Sequence, residues 1–96
     1  MPVTTITMDG AAWRTPDDFY AAFLPALGAP DWHGHNLDAL EESIRDGDIN
    51  RVNAPFAVRI TGLKTMDAEA RATVYRFTEV IHDLARAGVP VSVEVG

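Results

Sequence analysis

Six carboxylates fall between positions 31 and 48, at Asp31, Asp38, Glu41, Glu42, Asp46 and Asp48, and the only base among them is Arg45. One positive charge against six negative ones places five of the chain's net six negative charges in this segment. A field of that sign repels nucleic acid and draws in basic protein surfaces, speeding encounter at low salt. The expected partner is therefore a basic protein, with neither nucleic acid nor membrane involved. If the segment is helical, stability alone does not favour its charge pattern. Asp38 with Glu42, and Glu42 with Asp46, are like pairs at i, i+4, each unfavourable by about 0.2–0.5 kcal/mol, and Glu41 with Arg45 recovers a similar amount once. Asp46 and Asp48 lie near the C-terminal end, where the backbone dipole favours a cation.

Two other chemistries are weighed against this one. His33 and His35, at i, i+2 around Gly34, could chelate zinc or nickel with Asp31 or Asp38 as a third ligand. No compact set of further ligands accompanies them, so the reading is no metal and no cofactor. Both histidines are expected to be exposed, with Gly34 permitting a tight bend and Asn36 capping the next helix. Protonated imidazoles there would weaken binding to a basic surface. For catalysis, His82 and Asp83 are adjacent on a helix and diverge by about 100°, so with Ser43 they suggest no triad. Cysteine is absent, as are a phosphate-binding glycine loop and a dinucleotide fingerprint. The chain reads as not an enzyme.

The elements that must hold the carboxylates follow from periodicity. With Asn36 as N-cap, Leu37, Leu40 and Ile44 point inward, while Asp38, Glu41, Glu42 and Arg45 share the other side. Before this helix, Val3 to Met8 reads as a strand. Thr15-Pro16-Asp17-Asp18 then starts a helix whose apolar stripe is Phe19, Ala22, Phe23, Ala26 and Leu27, with Pro25 loosening its last turn and Gly28 ending it. Gly47 to Pro55 reads as an ordered loop, and Phe56 to Thr61 as a strand. A long helix runs from about Asp67 to Ala87 on Ala70, Val74, Phe77, Ile81 and Leu84, and a strand near a sheet edge closes the chain from Pro90 to Val95. Helical crossovers between successive strands give parallel pairing. The fold class is thus α/β, a small, largely parallel three-stranded sheet packed with helices, as a single domain over residues 1–96. No basic, apolar leader precedes it, and the expected location is the cytoplasm.

The run Pro30-Asp31-Trp32-His33-Gly34-His35-Asn36-Leu37-Asp38-Ala39-Leu40 resembles the signature of the barstar family, small intracellular inhibitors of barnase-type ribonucleases. The likeness extends more loosely over nearly the whole chain. It implies the same β-α-α-β-α-β fold. It also implies a mechanism in which the acidic helix and its preceding loop plug a ribonuclease active site, a carboxylate standing in for an RNA phosphate. By position, Glu42 corresponds to the aspartate at the centre of that contact, Asp38 to a second interface acid, Trp32 to the aromatic that packs on the enzyme, and Asp83 to an outlying glutamate. Glu41, His33, His35 and Asp46 are secondary partner-binding candidates, and Gly34 and Asn36 shape the loop. The departures are Glu41 for a tryptophan, Glu42 for a shorter aspartate, His33 for a tyrosine, and Arg45-Asp46 for a Thr-Gly pair. They imply a cognate other than barnase, either another microbial ribonuclease or a toxin domain, bound by a protein that is a monomer when free. The alternative is an acidic module that reuses the scaffold for a basic partner of another kind.

Overall fold

A computed structural model describes residues 3–96. Its elements, in chain order, are β1 (Thr4–Asp9), α1 (Pro16–Leu27), α2 (Leu37–Asp46), β2 (Phe56–Thr61), α3 (Ala68–Arg86) and β3 (Val91–Val95). The strands form one parallel sheet in the order β1-β2-β3, with Ile6 opposite Val58 and Val58 opposite Val93. Neighbouring strands taken in chain order, with connections of one hand, receive all their helices on one face. Alternation along the strands carries that consequence. Ile6, Met8, Phe56, Val58, Ile60 and Val91 are buried, whereas Thr5, Thr7, Arg59, Thr61, Ser92 and Glu94 are exposed. Parallel sheets are usually covered on both faces. Here the open face carries hydroxyls and an Arg59–Glu94 ion pair at 3.8 Å, so it needs no cover.

Helix α1 begins at Pro16, where the Asp18 carboxylate reaches back to accept the N–H groups of Arg14 and Thr15 at 2.8 and 3.1 Å. Those two bonds hold the Asp18 pKa below its ordinary value. The helix ends at Gly28, whose φ is +68°, with the N–H of Ala29 donating to Leu24 and that of Gly28 to Pro25. These are the paired bonds of a Schellman motif. Gly28 is constrained twice over, because an added Cβ would also lie 2.6 Å from the Arg51 Cβ. The loop 47–55 folds back over the helix end at that point, Arg51 and Val52 donating their N–H groups to Gly28 and Leu27.

The buried stripe of α1 differs from the expected one. Phe19, Phe23 and Leu27 are buried as anticipated, but Tyr20 and Leu24 join them while Ala26 is exposed. Large side chains at 20 and 24 fill the flank next to the following loop, and the small Ala26 turns outward. On α3 the expected stripe holds throughout, with Ala70, Val74, Phe77, Ile81 and Leu84 all at 1% exposure or less. Phe77 meets Phe19 and Phe23 at ring-centroid distances of 4.9 Å each, forming an aromatic centre between α1 and α3. Trp13 extends it through Phe19 at 5.9 Å. That centre fixes the α1–α3 platform beside which α2 sits.

Candidate functional site

Helix α2 is ten residues long, too short to persist alone in water. Its inner side supplies the anchor: Leu40 is fully buried, Ile44 is 5% exposed, and Leu37 is half-buried. The start is set by Asn36, whose side-chain oxygen accepts the Ala39 N–H at 2.8 Å, and the end by Gly47 at φ +78°, whose N–H donates to Ser43. Gly34 serves this cap rather than a left-handed turn, since it is not among the positive-φ residues. A Cβ at Gly34 would stand 2.8 Å from the Asn36 amide nitrogen. Close approach, not backbone freedom, is therefore what a side chain at position 34 would spoil.

Asp38, Glu42 and Asp46 are exposed along the outer side of α2. Successive members at i, i+4 lie about 5–6 Å apart at Cβ. Two of the other candidate acids are compensated locally. Glu41 is half-buried and ion-paired with Arg45, one turn on, and Asp83 is ion-paired with Arg86. His35 Nδ1 lies 2.6 Å from the Asp17 carboxylate of α1, with its ring stacked on Tyr20 at 5.8 Å. Among the described residues, Asp38 and Glu42 take part in no ion pair. A cleft of about 260 Å³ between α2 and α3 brings Asp38, Glu41 and Asp83 together, with Arg45 and Val80 in its lining. Asp38, Glu41 and Asp83 thus share one region, and Glu42 and Asp46 lie outside its lining. On the loop before α2, Trp32 is 74% exposed, the most exposed large apolar side chain described.

The expectation for His33 is corrected. It is not exposed but buried, at 5%, turned in beneath the loop while its neighbour Trp32 turns out. Its Nδ1 lies 2.8 Å from the Gly34 carbonyl and its Nε2 2.8 Å from Ser43 Oγ. A carbonyl only accepts, so Nδ1 carries the proton. In the neutral ring Nε2 then accepts from the Ser43 hydroxyl, whose one proton is shared with the Leu40 carbonyl at 3.2 Å and whose oxygen accepts in turn from Asn50 Nδ2 at 3.0 Å. This chain of bonds ties the loop, α2 and the 47–55 loop to one buried hydroxyl. Serine and imidazole at this separation could suggest a nucleophile and its base. Ser43, however, is 3% exposed and closed to solvent. The two histidines that could have formed a chelate face opposite ways, His33 buried and His35 exposed.

A family model described as Barstar (barnase inhibitor) matches residues 3–95 of the 96. The chain belongs to the barstar family. Comparison with curated proteins returned no match. Barstar-family membership agrees with the β-α-α-β-α-β fold. Where the resemblance places a tryptophan, this barstar-family chain has Glu41, and the structure puts that carboxylate beside its own Arg45 rather than free on the surface. Ser43, Asn50 and Asp17 were not singled out from the sequence as site residues. Each acts across 7 to 18 positions, in the contacts Asn50–Ser43, His33–Ser43 and His35–Asp17. Short-range periodicity carries no trace of such pairs. No helix among the described residues is long and apolar enough to cross a membrane.

Proposed function

We propose that this chain is an intracellular inhibitor of a microbial ribonuclease or ribonuclease toxin domain, occluding the enzyme's basic active site with α2 and the loop before it. The observation that carries the reading is the state of Asp38 and Glu42: exposed, one turn apart, and outside every ion pair among the described residues. Carboxylates left open on a rigid helix are ready to accept guanidinium groups bidentately, with little reorganisation on binding. Glu42 is the central contact and Asp38 the second. Trp32 packs on the enzyme at the loop side, Asp46 and Asp83 add to the attracting field, and His35 borders the contact. His33 holds the loop in place from below. Inhibition is by competition, because a site filled by protein carboxylates cannot take an RNA phosphate.

A second reading, a basic partner that is not a ribonuclease, draws support from the Glu41–Arg45 pair. It sets a cation within the acidic face at a position where the family resemblance gives a neutral residue. One experiment separates the two. Purified protein is added in stoichiometric steps to small secreted ribonucleases and to ribonuclease toxin domains encoded beside its own reading frame. Loss of RNA cleavage at one equivalent supports the inhibitor. A basic protein co-purified from the native cell that cleaves no RNA supports the second reading.

A further inference from the structure

The cleft between α1 and the loop 28–36 adjoins the contacts proposed above and shares His35 with them. Its walls are apolar, formed by Ala21, Leu24 and Pro25 of α1 with Ala29 and Pro30 of the loop, and its polar groups are Asp31, His35 and Tyr20. Asp31 is exposed and belongs to no ion pair among the described residues. Tyr20 has a buried ring, and its hydroxyl makes no hydrogen bond among the described residues. At about 340 Å³ the cleft is at the low end of ligand pockets, which run to about 1,000 Å³. It has room for one long side chain rather than for a multi-group ligand.

We propose that this cleft accepts an arginine side chain of the protein partner, the methylene stem lying against Leu24, Pro25 and Pro30 and the guanidinium meeting the Asp31 carboxylate. The proposal rests on the reading of the acidic side as the partner-binding face and extends that face onto α1. Three features select the occupant. Apolar walls suit an aliphatic stem. A free carboxylate at the rim favours a planar donor that can bond it twice, which is arginine rather than lysine. The cleft is also continuous with the proposed contact, since Trp32 follows Asp31 in the chain and His33, held by Ser43, forms part of the lining. The partner would then present one basic residue to the side of those gripping Asp38 and Glu42.

The test uses Nα-acetyl-L-arginine amide as probe and its neutral isostere Nα-acetyl-L-citrulline amide as control, titrated into nitrogen-15-labelled protein and followed by NMR. Saturable shifts at Ala21, Leu24, Ala29, Asp31 and the Trp32 indole with arginine, and not with citrulline, are expected. Asp31→Asn should weaken that binding about three- to tenfold, the loss of a charge-assisted pair at an exposed rim. Ala21→Trp, placed at an exposed position on the cleft wall, should remove it. Shifts confined to Asp38, Glu42 and Asp46, equal binding of citrulline, or unchanged affinity in Asp31→Asn would each overturn the proposal. The probe is a single amino acid, so a negative result leaves ribonuclease suppression as a separate question. Binding in the cleft without suppression of any ribonuclease would fault only the assignment of the partner.

Discussion

Ser43→Ala tests whether the buried hydroxyl holds the recognition loop. Removing Ser43 Oγ strips a partner from His33 Nε2, at 2.8 Å, and from Asn50 Nδ2, at 3.0 Å, and both residues are buried. Each buried polar group left unpaired costs about 1–3 kcal/mol. Two such groups make the expected loss about 2–6 kcal/mol, a large share of the roughly 5–15 kcal/mol that holds a domain folded. For a chain of this length each kcal/mol lowers Tm by about 4–8 °C, so a fall of at least 8 °C is expected. Urea unfolding followed by far-UV circular dichroism gives the free energy, and the polarity sensed by Trp32 fluorescence reports the loop. A double-mutant cycle with Asn50→Ala should show coupling of about 0.5–3 kcal/mol, because the two changes share one bond. If Ser43→Ala unfolds within 0.5 kcal/mol of the parent, or the cycle is additive, the network is not what secures the loop.

Four further expectations are open to direct measurement. Glu42→Ala should weaken binding to the captured ribonuclease more than about tenfold, the loss of a charge-assisted contact, whereas Asp48→Ala should change mainly the association rate at low salt; equal affinity of the two variants by surface plasmon resonance would remove Glu42 from the centre. Leu40→Ala, at a fully buried position, should cost about 2–5 kcal/mol and release α2, read as loss of amide protection across residues 37–46. Asp18 has a folded pKa below its ordinary 3.8, so its stabilisation is complete above that value and disappears as pH falls through the lower folded one. Asp18→Asn should accordingly destabilise at pH 7 and converge with the parent near pH 2, which paired denaturant midpoints would settle. Gly28→Ala meets both a positive φ and the Arg51 side chain, so it should destabilise by more than about 1 kcal/mol, and an unchanged midpoint would contradict the close approach of the 47–55 loop.

The elements were legible because their signals are local. Thr15-Pro16, Asn36, Gly28 and Gly47 mark helix ends through bonds that span five residues or fewer, and the valines of β3 and the Ala70-to-Leu84 stripe repeat at fixed periods. The helix start at Pro16 and the span of β2 match to the residue, and α3 to within one or two residues at each end. What sequence could not convey is the direction in which a loop side chain turns. Trp32 and His33 are neighbours, yet one is the most exposed large apolar group described and the other is buried, because Ser43 ten positions on supplies a hydrogen-bond partner below the loop. Ala26 fails for a related reason. A period marks a face broadly, and the larger neighbours at 20 and 24 decide which edge of it is covered.

The charge pattern of α2 makes physical sense only when the helix is considered with its support. Asp38, Glu42 and Asp46 repel one another by about 0.2–0.5 kcal/mol per neighbouring pair, a small cost beside the roughly 1.5–3 kcal/mol gained on burying one large aliphatic such as Leu40. Burial of Leu40 and Ile44, the Asn36 cap and the Ser43 bonds can therefore carry a run of like charges that an isolated ten-residue helix could not. Arg45 pairs with Glu41, the half-buried carboxylate of the groove between α2 and α3, and Arg86 pairs with Asp83 on the exposed side of α3. Asp38, at the rim of that groove, and Glu42, outside it, are exposed and belong to no ion pair among the described residues. On the proposed function, a cationic partner would relieve the repulsion between these carboxylates as it binds. Replacing Asp46, at the negative end of the helix dipole, by asparagine should then stabilise the free protein slightly while weakening the proposed complex, whereas Asp38, in the first turn, gains from that dipole and should show no such stabilisation.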